Sequence, residues 1–432
     1  MKKINKVLAF LLATVMVMSF AACGGKGNDN SNDDGSKKSG SKKSDTITVA
    51  IWDTNQEAGI KEILADFTAD TGIKTKIQVT PWDQYWTMLE AGATGGSLPD
   101  VFWMHANEIS KYADSGMLLN LGDQIDADGL DLTKFPADLV TLYQNADGAQ
   151  VAIPKDIDTI ALWYNKTLFD EAGVSYPDET WTWDTFRDAA KKLTKDDGSV
   201  YGTVFNPKDA QQTFYNTIYD FGGYVLNEDR TTSGWDDPKT MDAMEYVAGI
   251  IEDGSMPPYT TISETDQSAL FTSGKVAMLP QGSWMVTAML DNEYTAENCD
   301  IAVMPNLNGT NISIYNGLGW AAAAESANAE DAAKVCTYLG TETAQKKQAD
   351  LGVTMSAYEN TSEGFINKDT SKNLQAYIDM QKDVVIYPHS KDTNVWYEMS
   401  IEKLVVAWQD PAKMPDACDA IAAQMNEDLA AE

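Results

Sequence analysis

From Thr46 onward the chain switches repeatedly between two apolar spacings. Thr46 to Trp52 (TITVAIW) alternates as a strand and ends in Asp53-Thr54-Asn55. Ile60, Ile63, Leu64 and Phe67 then mark one helix face, with Gly72 placed as its stop. Ile73, Thr75, Ile77 and Val79 alternate again. A strand–helix–strand unit of this kind predicts parallel strands and an α/β architecture. Pro81-Trp82 opens a helix carrying Tyr85, Met88 and Leu89, and Pro99 to Trp103 reads as a third, buried strand. The run MHANEISKYADSGMLLNL reads as a helix stopped at Gly116. Residues 122–150 read as an acidic, loop-rich turn. Asp126, Asp128 and Asp131 within it fail the calcium-loop spacing, and no Glu follows at the required place.

Val151 to Gly173 (VAIPKDIDTIALWYNKTLFDEAG) is the pivot of the pattern. A short apolar strand stops at Pro154, which cannot donate to a ladder. A polar break follows (Lys155, Asp156, Asp158), and the strand restarts as ALWY. This is the pattern of a crossover between two lobes; two strands of one sheet joined by a polar bulge would read the same way. Beyond it, Thr182 is placed to cap a helix that Asp184 supports with a first-turn charge. Ile301 to Pro305 reads as a strand returning to the first lobe, with a further crossover near Leu351 to Met355. Helices are expected over Asn394–Gln409 and Asp416–Leu429.

Composition narrows the function classes. A chain of 432 residues is long enough for two domains. The formal charge of −33 argues against nucleic acid and anionic lipid surfaces as partners. Only His105 and His389 are available for His-based chemistry, so neither a metal site nor a cofactor is expected. Lys2, Lys3 and Lys6 precede an apolar stretch, Val7 to Phe20, that is too short to span a membrane. Phe20-Ala21-Ala22-Cys23 resembles a bacterial lipobox. It implies a signal peptide over residues 1–22 and a lipid on Cys23, the other reading being an uncleaved short anchor. Residues 24–45 are almost all Gly, Ser, Asn, Asp and Lys, a tether that cannot form a core. Cys336 and Cys418 fall on apolar helix faces, and no CxxC occurs.

The crossover wording, Ile153-Pro154, then Asp158, then Leu162-x-Tyr164-Asn165-Lys166, resembles that of extracytoplasmic sugar-binding proteins of ATP-driven importers, the group that includes maltose-binding protein. Leu98 to Leu121 resembles the family's LPD(V/I)…YA-x-x-G-x-L-x-x-L signature, Thr180 to Asp184 its TW-x-(D/E)-F helix start, and Phe271 to Trp284 its F-x-x-GK-(A/V)-AM…G-x-W run. The resemblance covers nearly all the chain after residue 45. It implies a two-lobed periplasmic-binding-protein-like fold (type II), with residues 46–154 plus 304–350 in one lobe and 155–303 plus 351–432 in the other. It implies a cell-surface protein, tethered to the outer face of the membrane of a Gram-positive bacterium. Such a protein would capture a sugar or oligosaccharide as a monomer and deliver it to the permease of an ABC importer.

Sugars present apolar faces and a rim of hydroxyls, so their sites need aromatic plates with amides and carboxylates. Candidates in loops are Trp52, Asp53, Trp82, His105, Asn107, Asp158, Gln212, Tyr215, Trp284, Trp320 and Trp396. By residue type alone each Trp reads more readily as a core residue than as a plate. The family places a carboxylate at Asp158, and stacking plates at Trp284 and Trp396. Residues 104–107, Met-His-Ala-Asn, lack the charged pair known in some maltose binders, which argues against maltose. Two other classes remain open. A surface glycosidase would need two carboxylates across a bond, which 65 acidic residues make easy to find and uninformative. A binding protein for peptides or polyamines would want acids among the aromatics, and Asp53 with Asp158 is the one pair in view. No GxSxG elbow, Walker loop, HExxH or dinucleotide fingerprint is present.

Overall fold

The computed structural model describes residues 44–432, so the signal peptide, Cys23 and nearly all of the tether lie outside the described residues. Eleven strands are found among the described residues. They are β1 (Thr46–Ile51), β2 (Lys74–Val79), β3 (Val101–Met104), β4 (Ala152–Pro154), β5 (Ile160–Asn165), β6 (Tyr201–Thr203), β7 (Val276–Gly282), β8 (Cys299–Ala302), β9 (Ser313–Tyr315), β10 (Gly319–Ala322) and β11 (Val384–Ile386).

The first sheet has the order β2-β1-β3-β10-β4. β1 runs parallel to β2 and β3, and β10 antiparallel to β3 and β4. The linking helix Thr54–Thr71 buries Ile60, Ile63, Leu64 and Phe67, the face its spacing predicts. It ends at Gly72, whose φ of 75° costs a glycine nothing. The second sheet has the order β6-β7-β5-β8. Its inner strands β5 and β7 are buried along their whole lengths, as a central strand covered on both faces requires. The chain therefore leaves one sheet at Pro154 and enters the other at Ile160. Helices Thr393–Gln409 and Met414–Ala431 pack on Pro238–Glu252 beside the second sheet.

Three readings of the sequence need correction. Residues 122–150 contain helices Gly122–Asp128 and Ala137–Leu142. There Asp128 accepts from the Thr337 hydroxyl (2.6 Å), and Asp131 caps the short turn Leu132–Lys134. Their acids cover the outer faces of short helices, so the local composition read as loop. The segment at Ile301 pairs with β5 in the second sheet, and the chain returns only after β9. The third crossover is longer than expected. Residues 351–356 run beside 155–159, yet Glu359 N–H still bonds the Lys134 carbonyl (2.8 Å) and the Tyr358 ring packs on Phe135. The chain joins the second sheet at Tyr377, whose hydroxyl accepts from Trp163 Nε1 (2.8 Å).

The crossovers lie side by side. Asp158 N–H donates to the Asn316 carbonyl (3.0 Å), and Ile157 N–H to that of Met355 (3.3 Å). β9 pairs with β11 as a separate two-stranded parallel ribbon.

Candidate functional site

The carboxyl ends of β1 and β3 hold the first-lobe residues, the position at which open α/β sheets bind ligands. Trp52 follows β1, and its ring centroid lies 5.0 Å from Trp82, 5.1 Å from Tyr85 and 4.8 Å from Trp103, all edge to face. Trp82 and Trp86 come from the first turn and a half of helix Trp82–Gly95. Trp82 is 41% exposed, an unusual fraction for an indole in an otherwise packed cluster. His105 follows β3 with its ring 5.3 Å from Trp82. Its Nδ1 accepts from Asn107 N–H (3.2 Å) and its Nε2 pairs with the Asn316 side-chain amide. Burial lowers the His105 pKa to about 3, so the imidazole is neutral in ordinary media.

The second-lobe face is built on the turn before helix Phe214–Asp220. Asp209 accepts from Gln212 N–H (3.2 Å) and from its side-chain amide; Gln212 Oε1 in turn accepts from Gln267 (3.5 Å). Desolvation raises the Asp209 pKa. Tyr397, from helix Thr393–Gln409, accepts from Ala210 N–H (3.5 Å) and donates to the Lys208 carbonyl (3.0 Å). Tyr387 stands between the faces: its ring is 5.8 Å from His105, 5.8 Å from Tyr215 and 6.3 Å from Tyr397. Burial holds the pKa of all three tyrosines above the usual phenol value, so each keeps its hydroxyl proton to donate.

Between the faces lies a polar hinge. The ammonium of Lys155 contacts Asp156 Oδ2 (2.5 Å) and Gln56 Oε1 (2.9 Å) and sits 4.7 Å from the Trp103 ring centroid. Asp156 Oδ1 accepts Leu318 N–H (2.6 Å) from the second crossover. Asp53 caps helix Thr54–Thr71 and orients Gln56 (3.1 Å), linking that network back to the aromatic wall. Asp158 accepts hydroxyls from Ser283 (2.6 Å) and Thr354 (2.7 Å), both on Oδ1. Desolvation, with the Asp156 charge adding to it, raises the Asp158 pKa to about 7.

That shift has a sign that can be tested. A carboxyl whose folded pKa is raised holds a proton that the unfolded chain has already released, so its stability contribution falls as pH rises from about 4 to about 7. Asp158→Asn can keep accepting the two hydroxyls without a charge. We expect its advantage over wild type in thermal unfolding to be small at pH 4, to grow as pH rises and to be full at pH 8.5; equal differences at both pH values would contradict the assignment.

The structure thus gathers Trp52, Trp82, His105 and Asn107 on one face and Gln212 and Tyr215 on the other. Asp53 and Asp158 lie in the supporting network. Trp284 is partly buried and rests on Gly282, where any side chain would collide with its ring. Trp320 and Trp396 are corrections. Trp320, in β10, is 1% exposed and packs on Trp103. Trp396 is fully buried and spends its Nε1 on Ser390 Oγ (2.8 Å). Adjacent helix residues point about 100° apart, and it is Tyr397 that reaches the cleft. Trp86, Asn316, Tyr387 and Tyr397 carry no role in the sequence reading. The helix phase marks Tyr397 and Trp86, whereas nothing local marks Tyr387.

Several polar atoms here are buried without a hydrogen-bond partner in the protein: Asn107 Oδ1, the Tyr215 hydroxyl, Gln211 Nε2 and Trp86 Nε1. Each such atom costs about 1–3 kcal/mol. Clustered with exposed aromatic surface, they describe a surface made to receive neutral hydroxyl groups.

Comparison with known proteins agrees with this geometry. Residues 52–346 match the family described as bacterial extracellular solute-binding protein. The galactooligosaccharide-binding protein of Bacillus subtilis is 27% identical over 358 residues, 79% of this chain and 78% of that protein. The diacetylchitobiose-binding protein of Streptomyces coelicolor is 26% identical over 341 residues, 72% of this chain and 74% of that one. Among solved structures, a Listeria monocytogenes ABC substrate-binding protein in complex with cycloalternan superposes with a TM-score of 0.81 at 24% identity. That superposition covers 89% of this chain and 99% of the other, and shows the two-lobed fold.

Proposed function

The chain belongs to the bacterial extracellular solute-binding proteins, and from that premise we propose that it captures a neutral oligosaccharide between its lobes for an ATP-driven importer. One observation carries the reading: buried, unpartnered groups from the first lobe (Asn107 Oδ1) and the second lobe (the Tyr215 hydroxyl) lie beside the same residue, Tyr387. A sugar lying there satisfies groups of both lobes at once, so it favours the form in which the lobes meet. The Trp52–Trp82–Trp86 cluster offers it an apolar wall. Micromolar affinity corresponds to a net of about −8 kcal/mol.

In this reading the protein acts by capture and hands the sugar to a permease without altering it. It works as a monomer outside the cell membrane, tethered through a lipid on Cys23. Tryptophan fluorescence, titrated with galacto-, malto- and chito-oligosaccharides, tests it. Saturable quenching or enhancement with the sugar recovered intact is expected; shortened sugars in the mixture would move the protein to the glycosidases, and silence across all three series would overturn the reading.

A further inference from the structure

We propose that Tyr387 is the specificity-determining residue that sets the length of the captured oligosaccharide, by forming the end wall of the cleft. The inference rests on the proposed sugar-binding role. Its direction comes from exposure along a chain of rings: Trp82 (41% exposed), then His105 at 5.3 Å, then Tyr387 at 5.8 Å (2% exposed), then Tyr215 at 5.8 Å (fully buried). The aromatic wall is open to solvent at Trp82 and closed at Tyr387. A sugar chain entering along the tryptophans meets the Tyr387 ring at the inner end, where Asn107 and Tyr215 hold the unpartnered groups.

The wall is fixed to neither lobe's sheet. Tyr387 directly follows β11, which among the described residues pairs only with the crossover strand β9. Its N–H donates to the Tyr315 carbonyl (2.8 Å), and its own carbonyl accepts from His389 Nδ1 (2.9 Å). Pro388 restricts Tyr387 to extended backbone, and the rings of His105, Tyr215 and Tyr397 packed around it leave its side chain little room to swing aside. Both lobes close on it: His105 belongs to the first, Tyr215 and Tyr397 to the second. A ring held this way limits how far a ligand can reach and leaves the chemistry of recognition to its neighbours.

The test compares Tyr387→Ala, Tyr387→Leu and Tyr387→Phe with wild type, in calorimetric titrations against successive lengths of whichever sugar series the wild type binds. The readout is the ratio of affinities for the next-longer sugar and the wild-type optimum. We expect that ratio to rise at least fivefold in Tyr387→Ala, to rise less in Tyr387→Leu, and to stay at the wild-type value in Tyr387→Phe. Tyr387→Leu carries the test if the alanine variant fails to fold. A uniform loss of affinity at every length, with the ratio unchanged, would show a merely structural ring and overturn this proposal alone. A wild-type protein that binds no sugar would overturn the parent reading, and this one with it.

Discussion

Asp156→Ala is expected to lower unfolding stability by about 3–5 kcal/mol, the usual cost of breaking a buried ion pair by removing one partner. Lys155 and Asp156 are both fully buried. Without the carboxylate, the ammonium keeps only the Gln56 oxygen and the face of Trp103, and Leu318 N–H loses its acceptor. The double variant Lys155→Met with Asp156→Ala should lose less than Asp156→Ala alone, because it leaves no stranded charge. Urea unfolding midpoints at constant slope measure both. A loss under about 1 kcal/mol for the single variant would mean the pair is solvated in solution. The pair ties the first crossover to the second and, through Gln56 and Asp53, to the residues behind the aromatic wall. Lobe movement therefore has to occur around this knot and leave it intact.

Tyr215→Phe should separate stability from function. The Tyr215 hydroxyl is buried and unpartnered, so deleting it removes a desolvation cost and should leave the protein as stable as wild type or slightly more so. In the complex the same hydroxyl would meet a sugar oxygen. Losing it leaves that oxygen buried without a partner, which costs about 1–3 kcal/mol, or roughly fivefold to 150-fold in affinity. Calorimetry gives the affinity and thermal unfolding the stability. Lower stability with unchanged affinity would place the hydroxyl in the core and outside the site.

Sequence pattern goes far with the scaffold here, because its signals are local. The period of Ile60, Ile63, Leu64 and Phe67, the stop at Gly72, and the break at Pro154 each act over a few residues, and each is realised. The family wording around Val151–Gly173 identifies the step from one sheet to the other. The site is less legible because it is assembled from segments more than 250 residues apart. His105 meets Tyr387 only through the return of a long third crossover. Trp396 and Tyr397 are neighbours of similar chemistry, and helix phase, in a helix packed mainly on Met414–Ala431, decides which one turns to the core. Trp320 illustrates the same ambiguity in a strand, because all of β10 is buried and its ring packs on Trp103. The acids of residues 122–150 misled for the opposite reason: charge on the outer face of a short helix looks like loop when the apolar positions are few.

Backbone hydrogen–deuterium exchange, with and without saturating oligosaccharide, tests the central claim most directly. Capture between the lobes predicts added protection in three separated stretches at once: residues 104–107, 209–215 and 384–397. Protection confined to one lobe, or falling instead on the groove between the two C-terminal helices, would contradict it.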